Sequence, residues 1–127
     1  MAKLKLGAQP KTFKKTITFP MLDGTTGSVE IIYIYRTRTE FGAFIDANMQ
    51  AAGDKAVVTG EKFSMEAMMS NTTETNADYV LKVAEGWDVD AEFTHENIQQ
   101  LSNEVPAACI AIMEGYRAAI VEGRLGN

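Results

Sequence analysis

The chain has 127 residues, 46% of them apolar and 23% charged, the size and balance of one folded domain rather than of a disordered chain. Its net charge of -5 is unevenly spread: Lys3, Lys5, Lys11, Lys14 and Lys15 all precede the first acidic residue, Asp23, and removing those five of the 12 basic residues leaves seven against 17 acidic ones, or -10. An acidic body repels nucleic-acid phosphates, and no run of about 18 apolar residues is present to cross a bilayer.

Residues 1–11, with Gly7 and Pro10, have weak patterning and read as a flexible basic arm on a single domain spanning 1–127. Such a leader either stays solvated or touches an acidic partner. It has no apolar stretch behind its lysines, so it is not expected to be a secretory signal. From Phe13 the pattern has period two, with Phe13, Lys15, Ile17 and Phe19 on one side and Lys14, Thr16 and Thr18 on the other, which predicts a half-buried strand. Met21–Gly27 supplies turn chemistry around Asp23-Gly24, and Ser28–Tyr35 is a second strand rich in Val, Ile and Tyr. Val29, Ile31, Tyr33 and Tyr35 share one face of it, yet Ile32 and Ile34 fall on the other. Either helices cover both faces of this hairpin or the second face meets another chain.

Thr37-Arg38-Thr39-Glu40 has the spacing of a capping box, followed by Phe41, Phe44, Ile45, Met49 and Ala52 at helical intervals and by Gly53 as a terminating glycine. This predicts a first helix of about three turns. Ser64 can cap a short helix carrying Met65, Met68 and Met69, which Ser70-Asn71-Thr72-Thr73 is expected to break. Thr75 then starts another helix with Tyr79, Val80, Val83 and Ala84 on its apolar side and Gly86 at its end. After the turn at Trp87-Asp88, Thr94 caps a helix presenting Ile98 and Leu101. Pro106 opens a last helix presenting Cys109, Ile112, Met113, Tyr116, Ala119 and Ile120, and Gly123 closes it. The expected fold is α+β, an N-terminal antiparallel β-hairpin packed on a small bundle of four to five helices.

Reactive chemistry finds little material. His95 and Cys109 are single instances of their types, neither lies in a nucleophile motif, and Cys109 sits on an apolar stripe. A lone cysteine also excludes an internal disulfide and suits a reducing compartment. Asp88, Asp90 and Glu92 alternate as in a calcium loop, but the sixth and twelfth positions hold Phe93 and Gln99 where such a loop needs Gly and Glu. No glycine-rich phosphate loop occurs, and the last two helices lack the basic face of a DNA reader. No catalytic residue, metal site or cofactor is expected. The softer signals are Met65, Met68 and Met69, which either fill irregular core gaps or form an adaptable docking surface, and Trp87, either a lid on the core or a docking anchor.

The Gly86-Trp87-Asp88 turn, the Phe93-Thr94 lead into a helix, the break from Leu101 to Pro106, and the Tyr116 helix ending in Arg124 and Asn127 resemble the tail assembly chaperones of long-tailed bacteriophages. The N-terminal hairpin of Val and Ile strands ahead of a helical body is similar too. The resemblance covers most of the chain and is best from Asp78 onward. The ending Arg124-Leu125-Gly126-Asn127 differs from relatives that place a basic residue directly before Asn. The resemblance implies a non-enzymatic protein of the bacterial host cytoplasm, absent from the mature virion. It would bind the tape measure protein and keep it soluble until the tail tube protein polymerises around it. Self-association is a further expectation, and neither nucleic acid nor membrane is an expected partner. Ile32, Ile34, Met65, Met68, Met69 and Trp87 are the expected partner-binding residues. The competing reading is a structural tail component, such as a tube or tail-completion protein.

Overall fold

Alternating apolar and polar residues make Thr12–Pro20 (β1) and Thr26–Ile34 (β2) an antiparallel pair in the computed structural model, which describes residues 3–58 and 64–124 and, over 52–58, the backbone alone. Phe13 lies opposite Tyr33, Lys15 opposite Ile31 and Ile17 opposite Val29, so the inner face is the one the alternation predicts. The connection closes with Asp23 Oδ1 accepting from the Thr25 amide at 3.0 Å and the Thr25 hydroxyl at 2.6 Å, and with Gly24 at φ 87°. These bonds hold the Asp23 carboxyl below its ordinary pKa.

A third strand, β3 (Ala84–Trp87), pairs with the far side of β2 and gives the order β1-β2-β3. Gly86 sits opposite Ile32 and Ala84 opposite Tyr33, so Glu85 is the extra residue of a bulge. The sequence pattern predicted a helix ending at Gly86. Instead the helix stops at Val83, because Ala84–Trp87 satisfies its backbone on β2.

Four helices complete the described residues: α1 (Arg38–Val58), α2 (Met65–Val83), α3 (His95–Glu104) and α4 (Pro106–Glu122). The capping box at the start of α1 is reciprocal, with Glu40 Oε1 accepting from the Thr37 amide at 2.8 Å and Thr37 Oγ1 from the Glu40 amide at 3.2 Å. Ser64 and Thr94 cap α2 and α3 through the amides of Ala67 and Asn97. Pro106 opens α4 and Gly123, at φ 70°, closes it.

Two further helix boundaries differ from expectation. The α1 backbone continues through Gly53 to Val58, and Met49 points to solvent at 67% exposure instead of joining the core stripe. The side chain of Ala52 lies outside the described residues. The Ser70–Thr73 tract does not break α2, and Thr75 does not cap a new helix. The Thr72 and Thr75 hydroxyls donate to the carbonyls of Met68 (3.0 Å) and Asn71 (2.8 Å), satisfying themselves within the helix. Ala77, Tyr79, Val80 and Val83 are buried, and that anchorage outweighs the weak helix propensity of the polar tract.

Among the described residues, the buried core gathers on one face of the sheet. Ile17, Val29, Ile31 and Tyr33 from the strands meet Cys109, Ile112, Tyr116 and Ile120 from α4, with Val80 and Val83 of α2, Ile98 of α3 and Phe41 of α1 around them. Across the closest approach the Tyr33 hydroxyl donates to the Ile112 carbonyl at 2.7 Å, and the Tyr116 hydroxyl donates to the Ile34 carbonyl at 2.8 Å. The two rings lie 5.2 Å apart. Gly115 makes room for this, since a Cβ there would stand 2.5 Å from Ile17 Cδ1 and 3.1 Å from the Tyr33 oxygen. Arg36 fastens the rim: its guanidinium donates to the Tyr116 hydroxyl and the Lys82 carbonyl, each at 3.1 Å, and lies 4.7 Å over the Phe44 ring.

Gly115→Ala should therefore lower stability by about 1 kcal/mol, since overpacking outweighs the gain in helix propensity. Gly42→Ala, where a Cβ meets nothing within 4 Å, should instead raise it by up to about 1 kcal/mol. Urea midpoints of the two variants would read these opposite signs. Burial raises the Tyr33 phenol above its ordinary value and raises Tyr79 to about 12. Both keep their protons in the folded chain at pH values where the unfolded chain, titrating near 10, has lost them. Stability should thus be intact below about pH 10 and drain away as pH rises above it. Tyr33→Phe should cost about 1 kcal/mol at neutral pH and make that alkaline decline shallower in urea titrations.

Candidate interaction surfaces

The methionines of α2 face water. Met65, Met68 and Met69 recur at three and four residue spacing, which puts them on one side of the first turns of the helix, and they are 53%, 43% and 55% exposed. This end of α2 lies beyond its buried residues, which begin at Ala77. Met69 also lines a groove of about 540 Å³ between α2 and α3, whose other walls are polar: Glu66 and Thr73 on one side, Glu96, Gln99 and Gln100 on the other.

The second face of the hairpin is open. Lys14, Thr16, Thr18, Ser28 and Glu30 on that side are exposed, and Ile32 and Ile34 are half-buried among them. The described helices pack on the opposite face, so among the described residues no helix covers these isoleucines. Ile32 gains its shelter by leaning over Gly86, where a Cβ would stand 3.4 Å from its Cδ1.

These two surfaces are separate. Fifteen residues of helix lie between Met68 and Ala84, the point where the chain reaches β2, a span of about 24 Å. Trp87 belongs with the sheet. Its ring meets Phe93 edge-on at 5.2 Å and its indole N–H donates to the Ala91 carbonyl at 2.7 Å, so it braces the loop that leads to α3. It is half-buried and leaves part of its surface to solvent.

Groups with chemical potential are engaged in structure. Asp88 Oδ1 accepts from the Glu30 amide at 2.8 Å while the Asp88 amide donates to the Glu30 carbonyl, so the acidic loop is pinned to the sheet. His95 Nε2 lies 2.7 Å from Asp78 Oδ1 and ties the first turn of α3 to α2. Cys109 is fully buried against the Ser102 hydroxyl, and burial pushes its thiol up to about 11, so it carries its proton at neutral pH and is a poor nucleophile. Among the described residues no group of three or more His, Cys, Asp or Glu is placed to hold a metal ion, and no helix is long and apolar enough to cross a membrane.

One surface was not foreseen from the sequence. The tip of the hairpin and the elbow between α3 and α4 enclose a hollow of about 410 Å³ lined by Pro20, Met21, Leu22, Val105, Pro106 and Ala107, with Glu104 on its rim. Leu22 is fully exposed, and Ile110, one turn into α4, is 58% exposed. The available signal was Met21-Leu22 itself, two large apolar residues placed in a polar turn.

A family model described as phage tail assembly chaperone matches residues 1–127. No curated protein and no solved structure gives a significant match. Because the family match runs along the whole sequence, the chain belongs to the phage tail assembly chaperone family.

Proposed function

We propose that this protein binds the tape measure protein of the tail and keeps it soluble until tube subunits polymerise around it, without making or breaking covalent bonds. The observation that carries this reading is the exposed methionine face of α2. Three large, flexible, polarisable side chains stand in water on a helix whose core contacts are made elsewhere. Methionine adapts to varied apolar partners, as a holdase for a long helical chain requires. Helix-on-helix docking of this kind places apolar anchors inside a polar surround, and Glu66, Glu96, Gln99 and Gln100 supply that surround beside Met69. The acidic body keeps a protein with exposed apolar residues dispersed. The open sheet face with Ile32 and Ile34 is a second contact region, read separately because it lies apart from the methionines.

Co-expression with the tape measure protein tests the reading. Met68→Asp with Met69→Asp should weaken co-purification at least about tenfold while leaving the circular dichroism of the chaperone unchanged, since both side chains are already exposed. Unchanged binding in this folded variant would remove the methionine face from the site, and Ile32→Asp would then decide whether the sheet face serves instead. The protein should also be missing from purified tails. If it is retained there in stoichiometric amounts, it is a structural component of the tail.

A further inference from the structure

The basic arm carries two leucines with nothing to cover them: Leu4 is 84% exposed and Leu6 is 90% exposed, alternating with Lys3 and Lys5. The hollow at the hairpin tip has the complementary character. It is apolar along Pro20, Met21, Val105 and Pro106, has fully exposed Leu22 at its edge, and its one charged lining residue is Glu104, with Asp23 next in the turn. We propose that the arm of one copy of this chain docks in the hairpin-tip hollow of a second copy, Leu4 and Leu6 entering the apolar floor and Lys3 and Lys5 facing Glu104 and Asp23.

The geometry makes the contact intermolecular. The arm leaves β1 at Thr12, whereas the hollow begins at Pro20, the opposite end of that strand. Eight strand steps separate the two ends, about 27 Å. Leu6 is six residues before Thr12 and reaches at most about 20 Å from it even when fully extended. Leu6 therefore falls short of the hollow on its own chain, and Leu4, eight residues before Thr12, would span the distance only with every residue between them fully extended, which the turn at Gly7 (φ 78°) prevents. Donor arm and acceptor hollow lie at opposite ends of the molecule, so the contact is heterologous and leaves one free arm and one free hollow at every stage. It builds a head-to-tail row of copies instead of a closed pair. This inference concerns contacts between copies and stands independently of the tape measure reading.

Sedimentation equilibrium of the full chain should show a mass that climbs past the dimer as concentration rises, and less so in high salt, which screens the Lys–Glu component. Leu4→Asp with Leu6→Asp, which removes the arm's anchors, should be monomeric. So should Leu22→Lys with Glu104→Lys, which places positive charge where the lysines dock; all four positions are exposed, so the fold is retained. Mixing the two variants leaves one good arm and one good hollow, and the mixture should stop at a one-to-one heterodimer. As a second measurement, copies bearing Leu6→Cys and copies bearing Leu22→Cys should form mixed disulfides in preference to either homodimer, with buried Cys109 taking no part. A wild-type chain that stays monomeric or halts at a dimer overturns the proposal. So does either double variant associating like wild type, a mixture that stays monomeric, or a lack of preference for the mixed disulfide.

Discussion

The structure depends on a reciprocal tie between one strand and one helix. The Tyr33 hydroxyl of β2 donates a hydrogen bond to a carbonyl in the middle of α4, and the Tyr116 hydroxyl of α4 donates one to the Ile34 carbonyl of β2. Each ring thus buries its area in the core and still satisfies its polar end, which makes a buried tyrosine affordable where a bare hydroxyl would cost on the order of 1–3 kcal/mol. Gly115 is the condition for this contact, because any side chain there would push α4 away from Ile17 and Tyr33. The other elements follow from that crossing. Phe13, at 6.4 Å from the Tyr116 ring, and Phe41, at 5.7 Å, extend the aromatic cluster outward, and Arg36 links its edge to the end of α2.

Much of this was legible in the sequence wherever the deciding chemistry is local. The alternation from Phe13 to Phe19, the Asp23-Gly24 turn, the caps at Thr37, Ser64 and Thr94, and the Pro106 and Gly123 limits of α4 all involve residues a few positions apart, and each was read correctly. The misreadings share a cause. The Ser70–Thr73 tract and Gly86 are local stop signals that distant partners overrule. α2 runs on through its polar middle because its C-terminal half is buried. Ala84–Trp87 becomes a strand because β2 offers an unpaired edge, which no window of sequence displays.

The surfaces show the same division. That Met65, Met68 and Met69 share a helix face was plain from their spacing, whereas their exposure needed the structure, since equal spacing serves a core stripe. Ile32 and Ile34 were visible as a second apolar face, and only the placement of the described helices on the other side leaves that face open. The hairpin-tip hollow was invisible, because it joins Pro20–Leu22 to Val105–Ala107 from opposite ends of the chain. Trp87 packs at the edge of the core and braces the loop through Ala91 and Phe93, with part of its ring left exposed.

The bulge at Glu85 has a bearing on how this protein survives its own task. A protein that carries large apolar side chains in water risks runaway strand stacking along any straight sheet margin. On one flank that margin is only Ala84–Trp87, interrupted by a protruding carboxylate and by a glycine that offers an incomer no side chain to pack against. Ribbon growth from that flank is thereby discouraged. The large exposed side chains Met65, Met68, Met69 and Leu22 stand on a helix and a loop tip, away from that flank.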